Sequence, residues 1–299
     1  MNKFLTLAFL VSSSVAWAQD DLMKELEKEQ KSETNYATQT FKGTRIINGQ
    51  SVETKGKGEL EFIFAHRFGL LNSGSYHGYG FDDGAVVRLG LEYGITDRLG
   101  VGLGRNFYYN NKLVDLYLRY KVARQSNGAQ SFPVTITAIG TMTYQGYPNA
   151  EDAGGAPVPS TSDRMGYVLE VPIARKFSSK FSVQVTPVFV HRNAVSKSVE
   201  NNDDYAVAVA ARYKLTRSFS LIGEYYDRLN AHTNSPYYNS AGLGFDIETG
   251  GHNFQMVFTN STGLNPQTTV TQTSGNINKG DVRFGFNITR TFQVTKRQK

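Results

Sequence analysis

Cysteine is absent from this chain of 299 residues, so no disulfide bond stabilises the fold and no lipid-modified cysteine can follow an export signal. The sequence also lacks any apolar run near the ~20 residues that a membrane-spanning helix requires. The formal net charge is only +6, and no dense basic cluster occurs. These absences disfavour a disulfide scaffold, a helical membrane protein and a nucleic-acid partner.

Glycine and aromatic residues, by contrast, are abundant, with 29 Gly, 17 Tyr and 19 Phe, while hydrophobic residues make up 39% of the chain. Aromatic side chains favour strands, and glycine favours turns and bends. The composition therefore predicts an all-β protein.

The first eighteen residues have the order of a secretory signal peptide. Lys3 precedes an apolar run over residues 4–11, and Ala16-Trp17-Ala18 stands before Gln19. A charged, an apolar and a small-residue region in this order predict export, with cleavage after Ala18.

Residues 19–57 are expected to form a separate N-terminal segment, either periplasmic or placed in a lumen as a plug. The charged stretch 20–31 reads equally as one short helix or as a solvated leader. In "RIINGQSVE" (45–53), Asn48-Gly49 stands between apolar pairs, which is a strong hairpin signal.

From Gly58 onward, apolar and polar residues alternate with a period of two, which is typical of strands. Most segments have about the ten residues of a tilted strand that crosses a bilayer, and Pro172 and Pro187 are expected at bulges within them. The predicted strands lie near 58–67, 84–94, 98–108, 112–123, 132–144, 163–176, 180–191, 203–214, 218–228, 237–249, 251–260 and 280–292.

Loop lengths separate the two ends of these strands. Tight turns at 95–98, 178–179, 215–217 and 249–251 alternate with long connections at 68–83, 145–162, 192–202, 229–236 and 261–279. Residues 110–112 and 124–131 are the two exceptions. Short periplasmic turns and long external loops are typical of an outer-membrane barrel.

The two phases of the strands differ in chemistry. In "GDVRFGFNITRTF" (280–292), one face is apolar and aromatic, and we expect it to contact lipid. Aromatic residues of this phase lie beside the tight turns, as in an interfacial girdle: Tyr93, Tyr120, Phe177, Phe181, Tyr213, Phe219, Phe254 and Phe292. Charges on the opposite phase would be costly in a dry core, so they predict a polar lumen: Arg88, Glu92, Asp115, Arg119, Lys121, Glu170, Arg212, Lys214, Glu224, Arg228, Asp246 and Arg283.

The sequence thus predicts a single antiparallel up-and-down transmembrane β-barrel of about 12 strands over residues 58–299. A family resemblance is found in five blocks: "TFKGTRIINGQSVETKGKGELEF", "RLGLEYGITDRLGVGLGR", "VHRN", "ARYKLTRSFSLIGEYY" and "GFDIETGGHNFQMVFTNSTG…GDVRFGFNITR". They resemble a Bacteroidetes-type family of outer-membrane β-barrels of unknown function, over residues 38–293. The resemblance implies the barrel fold and the outer membrane, and it supplies no catalytic residue.

Sequence motifs for catalysis or cofactor binding are weak. Gly100, Gly102 and Gly104 continue into a strand, so the helix that a nucleotide-binding loop needs is missing. The five histidines, His66, His77, His191, His232 and His252, show no metal-ligand spacing. His191 and Asn193 lie near the outer rim without a serine in a nucleophile context. We therefore expect no cofactor, no metal and no catalytic residue.

Three functions remain open at this stage. The first is a narrow or gated channel for a small polar or charged solute, and the second is a plugged barrel that binds a periplasmic or surface protein. A lipid-modifying enzyme at the rim ranks last. The candidate plug is 38–53, whose Lys42 and Arg45 are predicted to pair with lumen acids at Glu92, Asp115, Glu170 or Glu224. Small residues on the inner wall would make room for this plug: Gly100, Gly102, Gly104, Ala206, Ala208 and Ala210.

Overall fold

The computed structural model describes residues 33–107, 112–146 and 158–295. The predicted signal peptide and the charged stretch 20–31 lie outside the described residues. The described chain divides into two compact units. One comprises residues 33–38 with Arg124–Pro133, and the other comprises Gln39–Ala123 with the chain from Val134 onward.

The smaller unit is a two-stranded sheet. Thr34–Tyr36 pairs antiparallel with Ser126–Gly128, and the Ala37 amide donates to the Gln125 carbonyl at 2.8 Å. The Arg124 guanidinium lies 4.3 Å from the centre of the Tyr36 ring. The long connection 124–131, an exception in the loop pattern, is therefore used to build this sheet.

Within the described residues, the larger unit contains twelve barrel strands, one of them in two segments. In chain order they are β1 (Glu59–Leu70), β2 (Val86–Gly94), β3 (Leu99–Phe107), β4 (Lys112–Ala123), β5 (Thr135–Gly146), β6 (Met165–Glu170 and Ile173–Lys176), β7 (Phe181–Arg192), β8 (Asp203–Lys214), β9 (Phe219–Arg228), β10 (Ala241–Thr249), β11 (His252–Thr259) and β12 (Arg283–Gln293).

Short helices occur only between strands in the described part of the chain. They are α1 (Pro266–Thr271) and 3-10 turns at Leu71–Ser73, Ser75–Gly80 and Ile277–Lys279. None of the helices in the described ranges has the length and apolar character needed to cross a membrane.

The strands form a closed antiparallel barrel. Each strand pairs with its neighbours in sequence, and β12 pairs with β1 from Gly285 opposite Arg67 to Gln293 opposite Glu59. Closure removes the free edges that an open sheet would expose. The predicted all-β, up-and-down barrel of twelve strands is confirmed.

The two mid-strand prolines behave differently. Pro172 lies at the break between the two segments of β6, as a residue without a backbone N–H would be expected to. Pro187 does not form a bulge, because the register of β7 against β8 runs without interruption through Pro187 opposite Val207. The Pro187 carbonyl accepts from Val171 at 3.1 Å, so the donor that Pro187 lacks would point toward the break in β6.

Side chains alternate strictly between the two faces of the wall. Leu118 and Leu243 on the outer face expose 56% and 62% of their surface, whereas Tyr117 on the inner face exposes 1%. The aromatic residues of β12 point outward and stack across the closing seam, with Phe64 and Phe286 ring centres 5.8 Å apart. The apolar face of 280–292 therefore lies on the outside of the barrel.

The two barrel ends differ in their connections. One end, here called the short-turn end, carries the turns at residues 95–98, 177–180, 215–218 and 250–251, and the other, the long-loop end, carries the longer connections. Outward-facing rings form pairs close to the short turns, such as Phe177 with Phe181 at 6.0 Å and Phe219 with Phe245 at 5.2 Å.

Candidate functional site in the barrel lumen

Every charged residue that the sequence predicts for the lumen lies on the inward phase of its strand. Lys214 and Arg283 are half-buried, and the others expose at most 9% of their surface: Arg88, Glu92, Asp115, Arg119, Lys121, Glu170, Arg212, Glu224, Arg228 and Asp246. So much buried charge requires partners, because an unpaired charge in a low-dielectric interior is costly.

Wall residues neutralise one another across a strip of glycines. The Arg88 guanidinium on β2 reaches over β3 to Asp115 on β4, with Nε to Oδ2 at 3.0 Å and Nη2 to Oδ1 at 2.6 Å. Arg119 and Glu92 make a similar pair at 3.2 Å. A Cβ atom at Gly104 would overlap the Arg88 guanidinium, so this glycine makes the bridge possible.

The glycine strip on β3 therefore does not accommodate the plug, contrary to the prediction from the sequence. A Cβ atom at Gly102 would overlap the Tyr117 ring, whose hydroxyl donates to Glu92 at 3.0 Å. Side chains of the flanking strands fill the space above β3. Sequence spacing alone does not show which side chains fill this space, because they come from the strands on both sides of β3.

A second charge network lies toward the long-loop end. Asp204 accepts from Arg228 Nε at 2.8 Å and lies 3.4 Å from Arg192 Nη2, while Arg192 also pairs with Glu200. Arg192 and Asp204 were missed from sequence because they stand at strand ends. Nearer the short-turn end, Arg212 and Asp246 are 3.6 Å apart.

Residues 39–53, here called the lumen hairpin, fold back on themselves inside the larger unit. Arg45 and Gln50 form an antiparallel bridge, and the Ile46 amide donates to the Gly49 carbonyl at 3.0 Å. The turn is centred on Ile47 and Asn48, one residue before the Asn48-Gly49 pair that signals it in the sequence. Most of the segment is buried.

Glu224 on β9 holds the tip of the lumen hairpin. Its carboxylate accepts from the backbone amides of Ile47, Asn48 and Gly49 at 3.2, 2.8 and 3.1 Å. Charge-assisted bonds of this kind are among the strongest in proteins. They also explain the shifted turn, because three consecutive amides point at one carboxylate.

Other wall side chains bind the hairpin backbone in the same way. Gln184 on β7 donates to the Gln50 carbonyl at 2.8 Å and accepts from the Val52 amide at 3.0 Å. Gln255 on β11 donates to the Ile46 carbonyl at 2.7 Å. Thr137 on β5 donates to the Val52 carbonyl at 2.7 Å. The hairpin backbone is thus bound by side chains of the wall, and in the described part of the chain it does not form backbone hydrogen bonds with the barrel strands.

Apolar contacts add to these bonds. A buried cluster joins four hairpin residues to four wall residues: Phe41, Ile46, Ile47, Val52, Ala174, Ala210, Ile222 and Val257. Ala210 contacts the hairpin here, whereas Ala206 and Ala208 belong to a different cluster, described below.

In the described residues neither hairpin cation forms a direct ion pair with the four predicted acids, although the charge of Arg45 acts on Glu170 without a hydrogen bond between them. Lys42 forms an ion pair with Glu248, and Arg45 Nη1 donates to the Asn48 carbonyl at 3.4 Å. Glu92 and Asp115 are already neutralised by wall arginines, so they are not available to the hairpin. Glu224 takes backbone amides in place of a side-chain cation.

Glu170 stands apart from these pairs. It is fully buried on β6, and within the described residues neither of its carboxylate oxygens has a hydrogen-bond partner. A buried acid without a direct partner is costly, which marks it as a position for bound water or for a transient contact.

A second segment, residues 261–275, here called the inward loop, enters the lumen from the long-loop end. The sequence predicts an external loop over 261–279, yet nearly all of 261–273 is buried. Val270 of α1 packs with Ala206, Ala208 and Tyr226 of the wall. The helix begins at Asn265, whose Oδ1 accepts from the Thr268 amide at 3.0 Å, and Pro266 follows. Asn-Pro is a helix-start signal that the sequence reading missed.

The rim residues considered for catalysis do not form a catalytic set. His191 Nδ1 lies 2.6 Å from Asp203 Oδ1, while the side-chain amide of Asn193 donates through Nδ2 to the Ser162 carbonyl at 2.8 Å. Across the described residues, no three His, Asp or Glu side chains converge as metal ligands would.

Three solved structures, two described as porins and one as an outer membrane protein, align with this chain. The solved NanC porin aligns with a TM-score of 0.49 at 8% identity, over 78% of this chain and 98% of that one. The KdgM porin aligns with a TM-score of 0.49 at 8% identity (78% and 99%), and the Acinetobacter baumannii outer membrane protein Omp33 with 0.43 at 9% (79% and 99%). Likenesses this distant carry no property over to this chain.

No curated protein matches the sequence significantly. A family model described as a membrane bound beta barrel domain matches residues 41–292, a range that spans the lumen hairpin and the barrel strands. The chain therefore belongs to this family of membrane-bound β-barrels, DUF5777.

Proposed function

We propose that this protein is a gated outer-membrane channel for a small polar or charged solute, with the lumen hairpin as its gate. One observation carries the proposal: the hairpin backbone bonds to wall side chains such as Glu224, Gln184 and Gln255, and not to the strands. The hairpin can therefore leave the lumen without breaking any strand pairing. The described conformation is then the closed state.

The wall groups released by the hairpin are suited to a wet path. The Arg119 guanidinium donates to the Thr44 and Glu53 carbonyls of the hairpin. Glu224, Gln184, Gln255 and Arg119 each offer charge or hydrogen-bonding capacity that water or a polar solute can take up. Paired charges such as Arg88 with Asp115 would line the same path with alternating sign.

Single-channel recording of the purified barrel in planar bilayers tests the gate. Deleting residues 20–53 is expected to raise the conductance, because it removes the segment that fills the lumen. The heat-modified migration of the folded barrel on gels verifies that the strands still close. Equal conductance before and after deletion, with an intact barrel, would contradict the lumen hairpin as the gate.

Two point variants offer a gentler test. A Cβ atom at Gly49 would overlap the Tyr226 hydroxyl, so Gly49→Ala is expected to displace the hairpin tip and increase the open probability. Gly43→Ala in the same hairpin is the matched control, because the nearest atom to its Cβ would be 3.9 Å away. Similar behaviour of the two variants would argue against a seated hairpin that gates.

A disulfide that can be formed and reduced gives a third test of the gate, because the chain has no cysteine of its own. A Cβ atom at Gly242 would lie 3.1 Å from Ile47 Cγ2, a separation that suits a disulfide between Ile47→Cys and Gly242→Cys. Oxidation is expected to abolish openings and reduction to restore them. Openings that persist in the oxidised, cross-linked protein would remove the hairpin as the gate.

A second candidate is a permanently plugged barrel that serves as a platform for a protein partner. It is favoured by the second segment in the lumen, since Val270 of the inward loop packs against the wall as a core residue does. In that case the deletion of residues 20–53 leaves the barrel closed. We propose no enzymatic role, because the rim histidine pairs with Asp203 away from Asn193.

We also propose that the chain is exported to the outer membrane of a Bacteroidetes-type bacterium, as the resemblance in sequence implies. The signal-like order of residues 1–18 supports cleavage after Ala18. The mass of the mature protein in an outer-membrane fraction is expected to match a chain that begins at Gln19.

A further inference from the structure

A cavity of about 260 Å³ opens at the long-loop end, between the inner wall and the inward loop. Its polar lining comes from one strand residue and from two connections: Asn106, Tyr237, Thr262, Thr268, Gln272 and Ser274. At roughly 30 Å³ for each water molecule, it has room for about nine waters, or for one sugar ring.

Asn106 is the lining residue that most needs a partner. It lies on the inward phase of β3 and exposes only 4% of its surface, and its Oδ1 atom has no hydrogen-bond partner within the described residues. Leaving a buried amide oxygen unsatisfied is costly. A donor from a ligand in the cavity would remove this cost.

Among the described residues, the lining includes no charged side chain. Amides and aliphatic hydroxyls remain neutral at every physiological pH. Burial raises the pKa of Tyr237, followed in importance by the nearby charge of Glu200, so its phenol keeps its proton. The cavity therefore offers neutral donors and acceptors together with one aromatic ring.

That chemistry discriminates between classes of solute. A carboxylate or phosphate would be desolvated there without an arginine or lysine in the lining, and an ammonium group without an acid. A hydroxyl group both donates and accepts, and it can satisfy Asn106 while an aromatic side chain covers an apolar face of the ring. Arg192 and Glu200 line an adjoining cavity of about 290 Å³, which shares Gln272 with this one.

We propose that the cavity beside Asn106 binds an uncharged, polyhydroxylated solute of about one sugar ring at the mouth of the lumen. The inference that the channel admits solutes of this class rests on the proposed function. The inference that the cavity binds such a solute does not depend on it.

Equilibrium binding to the full mature chain in detergent micelles tests the site. The probes are D-glucose and D-galactose, each paired with its uronic acid, which has the same ring and one added carboxylate. Saturation-transfer NMR and calorimetric titration are expected to show binding of a neutral sugar, with its uronic acid at least tenfold weaker. Equal affinities, or no binding of either neutral sugar at about 10 mM, a concentration that would detect even a weak site, would overturn the proposal.

Variants then locate the site. Asn106→Leu keeps the side-chain size but removes the amide, and it is expected to weaken sugar binding about tenfold or more. Asn253→Leu is the matched control: Asn253 is an inward, buried asparagine on β11 whose Oδ1 also lacks a partner, and it is not among the residues lining the cavity. Equal losses in the two variants would overturn the location. Should Asn106→Leu fail to fold, the comparison of sugar with uronic acid still decides.

The outcome is separable from that of the channel. Sugar binding by a protein that never conducts, even without residues 20–53, would retain the site and remove the channel. Conductance by the hairpin-deleted barrel, without sugar binding to the intact chain, would retain the channel and remove the site.

Discussion

At the scale of single residues, a glycine without a side chain leaves space in the lumen for charged residues of the neighbouring strands to meet. Gly104 lies on β3 between Arg88 and Asp115, and its missing side chain lets these two residues meet across a strand. β2 and β4, which share no backbone hydrogen bonds in the described ranges because β3 lies between them, are thus joined by charge. Loss of either partner of such a buried pair is strongly destabilising, because it leaves the other charge buried and unpaired.

Residues on the outer face are governed by lipid. Leu116 lies in the middle of β4, and Val122 lies on the same face near its end. We expect Leu116→Arg to destabilise the barrel by roughly 2–4 kcal/mol and Val122→Arg by about 0–1 kcal/mol, because charge is costlier toward the bilayer midplane. Urea unfolding in lipid vesicles measures both. Equal losses for the two variants would contradict the assigned depth of Leu116.

Residue patterns show how far the sequence could predict this molecule. Alternation of apolar and polar residues predicts the strands and their inward charges, because the period of two is a property of each strand alone. The partners of those charges could not be predicted. Arg88 meets Asp115, and Glu224 binds backbone amides, only because strands distant in sequence curve around one lumen.

At the scale of elements, the two segments inside the barrel differ in how they are held. The lumen hairpin is bonded by many side chains of the wall, whereas the inward loop carries much of its own hydrogen bonding. In the loop, the Thr273 hydroxyl donates to the Thr269 carbonyl at 2.9 Å and lies 2.8 Å from the Ser261 hydroxyl. Such a loop, rich in Thr, Ser, Asn and Gln, reads in sequence as a solvated connection, which is why its burial was not predicted.

The inward loop depends on the start of its helix. Asn265→Ala removes the side chain that caps the Thr268 amide, and it is expected to destabilise the seated loop by about 1 kcal/mol. Hydrogen exchange at Thr268–Thr271 is expected to accelerate accordingly. Asn265→Ser, which retains a capping oxygen, is the control and is expected to preserve most of the protection. Unchanged exchange in Asn265→Ala would mean that packing of Val270 alone holds the loop.

At the scale of the whole molecule, the inward loop changes how membrane topology should be probed. A tag within 261–273 would disturb the lumen instead of reporting on the surface. We expect an epitope inserted beside Lys197, in the exposed connection between β7 and β8, to be reached by antibody on intact cells. The same epitope in the turn at 215–218 is expected to react only after permeabilisation. The reverse pattern would mean that the chain is inserted in the opposite orientation.

Contacts of the lumen hairpin with β1 and β12, the two strands that close the barrel, bear on the order in which the barrel assembles. The Ile47 carbonyl accepts from Arg67 on β1 at 3.1 Å and from Asn287 on β12 at 2.9 Å, while Arg67 also donates to Asn287 across 220 residues of sequence. Joining chain ends so far apart carries the largest entropic cost in the fold. The hairpin is synthesised before both strands and touches each of them, so it can serve as a template on which the first and last strands meet. The segment that closes the pore would then also be the one that helps the wall to close around it.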